Sequence, residues 1–331
     1  YYMFSQGLNP TGKGFFGKTF YYQTAVTAKA LKSSLYDAAK RVNSFINKEK
    51  DNLLLSKTKS DICVGFYKPY FYTELTTSQM LKDKRLFVEK LGLTIDPRFL
   101  REEILFNGLL RGLQTLNFNY DIKDLENTSI EILLTYKQLW ITSAEFMDGD
   151  TQSFLASYVK QGGHLIVYPV LPTLDLYLNK CTILQDELDI SFSNSISPNK
   201  VEVLGVKDLF TVFKNKLIFE SKENEVAAKT ENGETCGIRK KVEKGTVTVL
   251  GFAFGYSSDE HLHLYEKIVL LHKIKRQAKV SDPDIQFVIR NGREYSYMFL
   301  LNYHNQSKMF TANSQKVTLK PFSYKIIKSK R

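Results

Sequence analysis

Apolar residues recur with two different periods in this chain, and both are clearest between Gln138 and Pro172, QLWITSAEFMDGDTQSFLASYVKQGGHLIVYPVLP. Leu139–Thr142 is a short apolar run bounded by polar residues, the pattern of a buried strand. Asp148 and Asp150 supply a cap and N-terminal negative charge for a helix. Phe154, Leu155, Tyr158 and Val159 then recur at i, i+1, i+4 and i+5, one apolar helical face. Gly162-Gly163 gives a left-handed stop, and His164–Tyr168 resumes as a strand ended by Pro169. Two apolar strands joined by one helix predict a right-handed crossover and a parallel, covered sheet.

The same reading extends in both directions. Asp61–Tyr67 is the first strand of an α/β domain, and Asp96-Pro97 opens a long helix whose buried face is Phe99, Phe106, Leu109, Leu110, Leu113 and Leu116. Phe118–Ile122 and Gly245–Gly251 read as further strands, and Ser257–Glu260 caps a helix carrying Leu264, Ile268, Leu270 and Leu271. Residues 186–250 alternate, as in Lys200–Leu204 and Leu217–Glu220, and carry the hairpin signal Asn232-Gly233, so a β insertion is expected there. From Asp282 the pattern is purely β: Ile285–Ile289, the turn Asn291-Gly292, Tyr295–Tyr303, Val317–Leu319 and Tyr324–Ile327. A small sandwich or open barrel fits. At the other end, Tyr1–Phe4 is strand-like, and from Ala28 to Asn47 the residues Leu31, Leu35, Ala38, Ala39, Val42, Phe45 and Ile46 form one helical stripe ahead of a charged linker, Asn47–Lys59. The expected domains are 1–50, 60–275 and 282–331.

Composition narrows the partners. The 331 residues are 43% hydrophobic and 24% charged, ordinary for a globular chain with two or three domains. No apolar run reaches membrane-spanning length and the N-terminus lacks a signal-peptide pattern, so no membrane partner is expected. The net charge of +11 raises nucleic acid as a partner. The lysines are scattered, however, apart from His272–Lys279 and Lys325–Arg331, and no recognition module accompanies them, which predicts a solvated basic surface and no nucleic-acid partner. Cys63, Cys181 and Cys236 are few, odd in number and far apart, which favours reduced thiols and a cytoplasmic location. The chain starts at Tyr1, inside a strand-like run, so a piece of a longer protein or of a split gene is expected.

Candidate chemistry thins on inspection. Gly12, Gly17, Lys18 and Thr19 match the phosphate-loop spacing, but Asn9-Pro10-Thr11 precedes them where a strand is needed and Thr19–Tyr22 reads extended where a helix should begin. Glu102 and Glu103 are helix neighbours about 100° apart, placed where first-turn charge belongs. His261 and His263 diverge on a helix and read as a solvated first turn rather than metal ligands. Amidotransferase chemistry would need a Cys at a sharp strand–helix turn with a His partner; Pro169–Pro172 follows the strand instead, and Cys181 lies well downstream. No catalytic residue, metal or cofactor is assigned.

The order of parts at the N-terminus resembles the end of the catalytic barrel in family 35 β-galactosidases. Tyr2-Met3-Phe4, Gly7-Leu8-Asn9 and Phe20–Ala25 fall in the order of that family's last strand, loop and second tyrosine segment. The resemblance implies that Tyr2 and Tyr22, with Asn9 from the loop, contact a galactoside. Gln6, Leu8, Tyr21 and Gln23 depart from the family pattern, which implies an altered sugar pocket. Gln152–Gly163, the strand to Pro169 and Gly245–Gly251 resemble the amidotransferase-like trimerisation domain of family 42 β-galactosidases, whose small terminal β domain also has a counterpart here. The resemblance implies an α/β fold, a mostly parallel flavodoxin- or amidotransferase-like sheet preceded by the end of a (β/α)8 barrel, and a homo-oligomer, possibly a trimer. Glycoside hydrolysis needs two carboxylates across the scissile bond. In those families both stand on earlier barrel strands, so this chain is expected to be inactive alone and to complete the sugar site of a β-galactosidase-like enzyme. The alternatives are a non-catalytic oligomerisation or carbohydrate-binding module and, less favoured, a phosphate-loop nucleotide-binding protein.

Overall fold

The computed structural model of the chain describes residues 4–7, 24–75, 93–94, 105–220 and 224–331. It divides into two compact units, one of residues 1–58, 289–298 and 326–331, the other of 59–288 and 299–325.

In the first unit the apolar stripe forms helix α1, Leu35–Leu53. The helix begins later and runs further than its sequence pattern suggests, taking in half of the expected charged linker. Lys48, Glu49, Lys50 and Asp51 are helix-compatible residues with no stop signal among them, so solvated charge prolongs the helix instead of ending it. The end of α1 is tied to C-terminal segments of the same unit. Asn52 Oδ1 accepts from the Glu294 and Tyr295 amides at 3.0 and 3.3 Å, and Glu49 accepts from Tyr297 Oη at 2.6 Å and Lys328 Nζ at 2.7 Å.

The second unit is built on one nine-stranded sheet. Its strands are β1 (Ile62–Phe66), β2 (Tyr120–Asp124), β3 (Gln138–Thr142), β4 (His164–Tyr168), β6 (Lys200–Val203), β7 (Val206–Phe210), β9 (Glu225–Thr230), β10 (Thr235–Val242) and β11 (Gly245–Leu250), with β5 (Phe192–Ile196) and β8 (Asn215–Phe219) paired separately. The order is β2-β1-β3-β4-β11-β10-β9-β6-β7. The first five strands are parallel, with Leu139 opposite Leu165 and Val247 opposite Leu165, and the remaining four are antiparallel. The parallel part has the doubly wound order in which the chain reverses direction between β1 and β3. The β insertion expected over 186–250 does not stand apart: β6, β7, β9 and β10 continue the same sheet outward from β11, with Gly233 at φ +82° turning β9 into β10.

Every residue of β3 is buried, as are Leu165–Tyr168 of β4, because helices cover both faces. Those helices are α2 (Phe106–Thr115), α3 (Ile130–Leu133), α4 (Gly149–Lys160), α5 (Ile183–Glu187) and α6 (Asp259–Leu270). Asp148 caps α4 as expected, accepting from the Thr151 amide at 2.8 Å, a bond of a kind that contributes about 1 kcal/mol. α2 begins only at Phe106, after Leu105 in a non-helical conformation (φ −124°, ψ −93°), so the one long helix expected from Asp96-Pro97 does not run through to Leu116; Asp96, Pro97, Glu102 and Glu103 themselves lie outside the described residues. Trp140, wholly buried, packs against Tyr265 of α6 with ring centroids 6.0 Å apart. Among the described residues no helix is long and apolar enough to cross a membrane.

At the C-terminal end β12 (Gln286–Asn291), β13 (Tyr295–Asn302) and β16 (Ser323–Lys330) form a three-stranded sheet, and β14 (Lys308–Ala312) with β15 (Gln315–Leu319) a hairpin. β14 has no counterpart in the sequence reading. Its turn is Asn313-Ser314, both at positive φ, a primed turn made without the glycine that usually announces one.

Candidate functional site

Tyr2, Asn9 and Tyr22, the expected sugar contacts, lie outside the described residues, as does the phosphate-loop match from Gly12 to Thr19. The described residues beside them pair in parallel. Ser5 bridges Val26, with Gln6 N–H donating to the Val26 carbonyl at 2.9 Å and Val26 N–H to the Phe4 carbonyl at 3.0 Å.

In a doubly wound sheet, ligands bind beyond the C-terminal ends of the strands where the order reverses, here after β1 and β3. That crevice is filled by the protein itself. Tyr67 and Tyr70 are 2% and 3% exposed, their rings 4.7 Å apart, and Tyr70 meets Phe146 edge-on at 5.4 Å. Tyr67 Oη donates to Asp148 Oδ2 at 2.5 Å and accepts from the Asp148 amide at 3.0 Å. Burial pushes the Asp148 carboxyl up, but hydrogen bonds from Tyr67 and Thr151 outweigh it and hold the group below its ordinary value. The carboxylate is therefore ionised and fully engaged as a cap. Glu145 accepts from the Thr94 amide at 2.7 Å and from the Thr94 hydroxyl. Both acids serve the architecture.

Nucleophiles are equally occupied or silent. Burial pushes the thiols of Cys63 and Cys236 up to about 12, so neither supplies thiolate at neutral pH. Cys181 lies beyond the loop that follows β4, beside Gly149, as the sequence implied. Lys216 is 2% exposed, and burial lowers it to about 8. Its ammonium donates to the carbonyls of Phe213 and Lys214 at 2.6 and 3.2 Å, which closes a turn.

Sequence reasoning missed a chain of hydrogen bonds at the N-terminal ends of β3, β4 and β11. An indole can only donate, so Trp140 Nε1–H, 3.0 Å from Gln138 Oε1, fixes the orientation of that amide. Gln138 Nε2 then donates to the Ile268 carbonyl at 2.7 Å and to His272 Nδ1 at 2.7 Å. His272 consequently carries its proton on Nε2, pointed at Thr246 Oγ1 3.3 Å away, and Thr246 donates onward to His164 Nδ1 at 2.9 Å. The two imidazoles stack, centroids 4.1 Å apart and 13° from parallel. Burial, then His164, then Arg239 lower His272 to about 3; burial and Arg239 lower His164. Both rings are neutral, and one-way donation leaves neither able to take a proton without losing a bond.

The first-turn histidines of α6 also part company. His263 is exposed, but His261 is 4% exposed and Nε2 bonds the Phe210 carbonyl at 2.7 Å, which corrects the expectation of a solvated pair. Ser258, not Ser257, caps the helix, so position 261 joins the buried face of Leu264, Tyr265 and Ile268. A cavity of about 250 Å³ lined by Lys59, Lys137, Lys273, Lys275 and Arg276 keeps a net positive charge, although Asp61 pairs with Lys137 at 2.9 Å and Arg276 with Glu266 at 2.7 Å.

Comparison with known proteins adds what the geometry does not contain. The profile of the family described as GLMA-like, second domain, matches residues 89–226. The chain is 57% identical over 340 residues to a β-1,2-glucosyltransferase of Ignavibacterium album, covering 100% of this chain and 48% of that protein. It is 27% identical to an exo-β-D-glucosaminidase of Pyrococcus horikoshii, covering 91% of this chain and 38% of the relative. Its fold is similar to that of Gan42B, a GH42 β-galactosidase, with a TM-score of 0.72 at 12% identity over 93% of this chain and 46% of that one. A β-galactosidase from Bacillus circulans gives 0.70 at 12% identity over 94% and 48%. The chain thus spans about half the length, or less, of the proteins it matches.

Proposed function

We propose that this chain is part of a carbohydrate-active enzyme that transfers β-linked glucosyl units, in which it supplies scaffold and the end of the sugar site. The observation that carries this reading is the 57% identity to a β-1,2-glucosyltransferase along the whole chain. Transfer of this kind needs two carboxylates flanking the glycosidic bond, with an acceptor sugar taking the place of water. Asp148 and Glu145, at the site the α/β fold would offer, are engaged with Tyr67, Thr151 and Thr94. The reacting pair is accordingly assigned to sequence beyond these residues, and Tyr2, Asn9 and Tyr22 to contact with the bound sugar.

β-Galactosides, the substrate the sequence resemblance implies, are the second reading. Their support is the fold shared with β-galactosidases, and a shared fold does not fix the sugar. Glucosides and galactosides differ in one hydroxyl configuration, which a site built to hydrogen-bond that hydroxyl discriminates strongly.

A chimera tests the proposal. Replacing the matching part of the Ignavibacterium album enzyme with this chain should give a soluble protein that transfers glucosyl units between β-1,2-linked glucosides. A folded chimera that transfers nothing, or acts only on β-galactosides, overturns the glucosyl reading; this chain alone should turn over neither sugar. We propose further that the protein is cytoplasmic and assembles as a homo-oligomer, a trimer by resemblance, through the α/β unit. Light scattering over a concentration series should then show a mass near three chains, and a strictly monomeric mass at tens of micromolar would reject that assembly.

A further inference from the structure

A second cavity of the α/β unit, about 460 Å³, opens between α2, the loop after β11, the start of β12 and the loop after β13. Its volume lies within the range of about 300–1,000 Å³ typical of small-ligand pockets. The residues that give it chemical character are Arg111, Gln114, Tyr256, Asp284, Gln286 and His304. Arg111 and Gln114 are three apart on α2 and therefore share a helical face. Arg111 Nη1 donates to Tyr256 Oη at 3.1 Å, and the guanidinium carbon lies over the ring, 5.8 Å from its centroid. Asp284 is held by Lys308 Nζ at 2.5 Å, and the same ammonium lies 3.6 Å from Asp282.

Two features select a ligand class. The charges nearly cancel, since Arg111 and Lys308 are balanced by Asp282 and Asp284, so a phosphate or a carboxylate ligand finds no net field to bind it. What remains is a half-buried aromatic ring among a guanidinium fork, a carboxylate, two primary amides and an imidazole. These are donors and acceptors of several kinds around an apolar plate. A pyranose presents the complementary surface, with an apolar C–H face and a rim of hydroxyls that each donate and accept. Among the described residues no group of three or more His, Cys, Asp or Glu is arranged to hold a metal ion, which leaves a metal-bridged ligand without support.

We propose that this cleft binds a neutral saccharide, one pyranose ring laid against Tyr256 with its hydroxyls shared among Arg111, Asp284 and the Gln114 and Gln286 amides. The inference is drawn from the cleft's own chemistry and does not depend on which sugar the enzyme processes. Its occupant is a saccharide unit held for attachment, since among the described residues no nucleophile or unengaged acid lines it.

Saturation-transfer NMR and calorimetric titration of the chain with sophorose, glucose and mannitol test the proposal. Sophorose should bind with a Kd on the order of 1 mM, the open-chain mannitol at least about tenfold more weakly. Tyr256→Ala should weaken sophorose binding by about tenfold or more, and Gln286→Ala, at the half-buried start of β12, by a few-fold, each read on folded protein well below the variant's own unfolding midpoint. Absence of transfer to sophorose at tens of millimolar overturns the proposal. So does binding that survives Tyr256→Ala and Gln286→Ala but is lost in the Tyr2→Ala/Tyr22→Ala double variant. Neither outcome bears on the chimera, whose readout is transfer.

Discussion

Gly245→Ala will lower the thermal unfolding midpoint of this protein by about 10 °C. A Cβ at Gly245, the first residue of β11, would run into the carbonyl oxygens of Val159 and Gly163, both backbone atoms. No rotamer change can make room. The Gly163 carbonyl already accepts from the Thr246 amide at 3.1 Å, the bond that brings β11 into register with β4, where Thr246 stands opposite His164. Either that pairing opens or the end of α4 lifts off the sheet. A forced backbone shift in a packed core belongs to the upper end of single-substitution effects, about 3 kcal/mol or more. For a unit of this size each kcal/mol moves the midpoint by about 2–4 °C. Gly233→Ala is the control. It has φ +82° but nothing within 4 Å of its virtual Cβ, so only conformational strain of about 1 kcal/mol applies. Equal midpoints for the two variants would show that β11 does not depend on this contact.

Gln138–Pro172 was legible because strand, cap, helix and stop each follow a local rule, and the parallel crossover follows from their order. The boundaries of α1 were not, since charge alone does not end a helix. β14 escaped because its turn uses Asn313-Ser314, an uncommon pair. The filling of the switch-point crevice was out of reach for a different reason. Tyr67 and Asp148 are 81 residues apart, and no period connects a residue just after one strand to a cap beyond another. The chain from Trp140 through Gln138, His272 and Thr246 to His164 has the same character, as has the cleft assembled from Arg111 to His304. Composition gave one indirect hint, histidines and glutamines at the ends of apolar strands, where a polar residue is retained only if something satisfies it. The sugar contacts stood on resemblance from the start, and Tyr2, Asn9 and Tyr22 fall among residues the structure does not describe.

The histidine stack should make the protein acid-labile well above the range in which carboxylates titrate. In the unfolded chain His272 ionises near 6.5; in the folded one burial, the stacked His164 ring and Arg239 push it to about 3. Between those values the unfolded state takes up a proton the folded state refuses, so stability is fully present above about pH 6.5 and declines as the pH falls toward 3. The slope for one such group is about 1.4 kcal/mol per pH unit. His164, lowered by burial and Arg239, adds in the same direction. Thr246, Gln138 and the Ile268 carbonyl, the other groups bonded within the cluster, carry no charge to offset a second cation. Asp148, held below its ordinary 3.8, loses its contribution only at lower pH, so the interval from 6.5 to 4.5 reports the imidazoles. Over that interval the unfolding free energy should fall by about 2–3 kcal/mol, read as the denaturant midpoint at fixed slope. His272→Gln, which keeps a donor and an acceptor but cannot titrate, should be less stable at neutral pH and lose about half of the pH dependence. A wild-type midpoint that stays level from pH 6.5 to 4.5 would mean that the stack accepts a proton in the folded state, and the one-way donation from Trp140 to His164 would then be wrong.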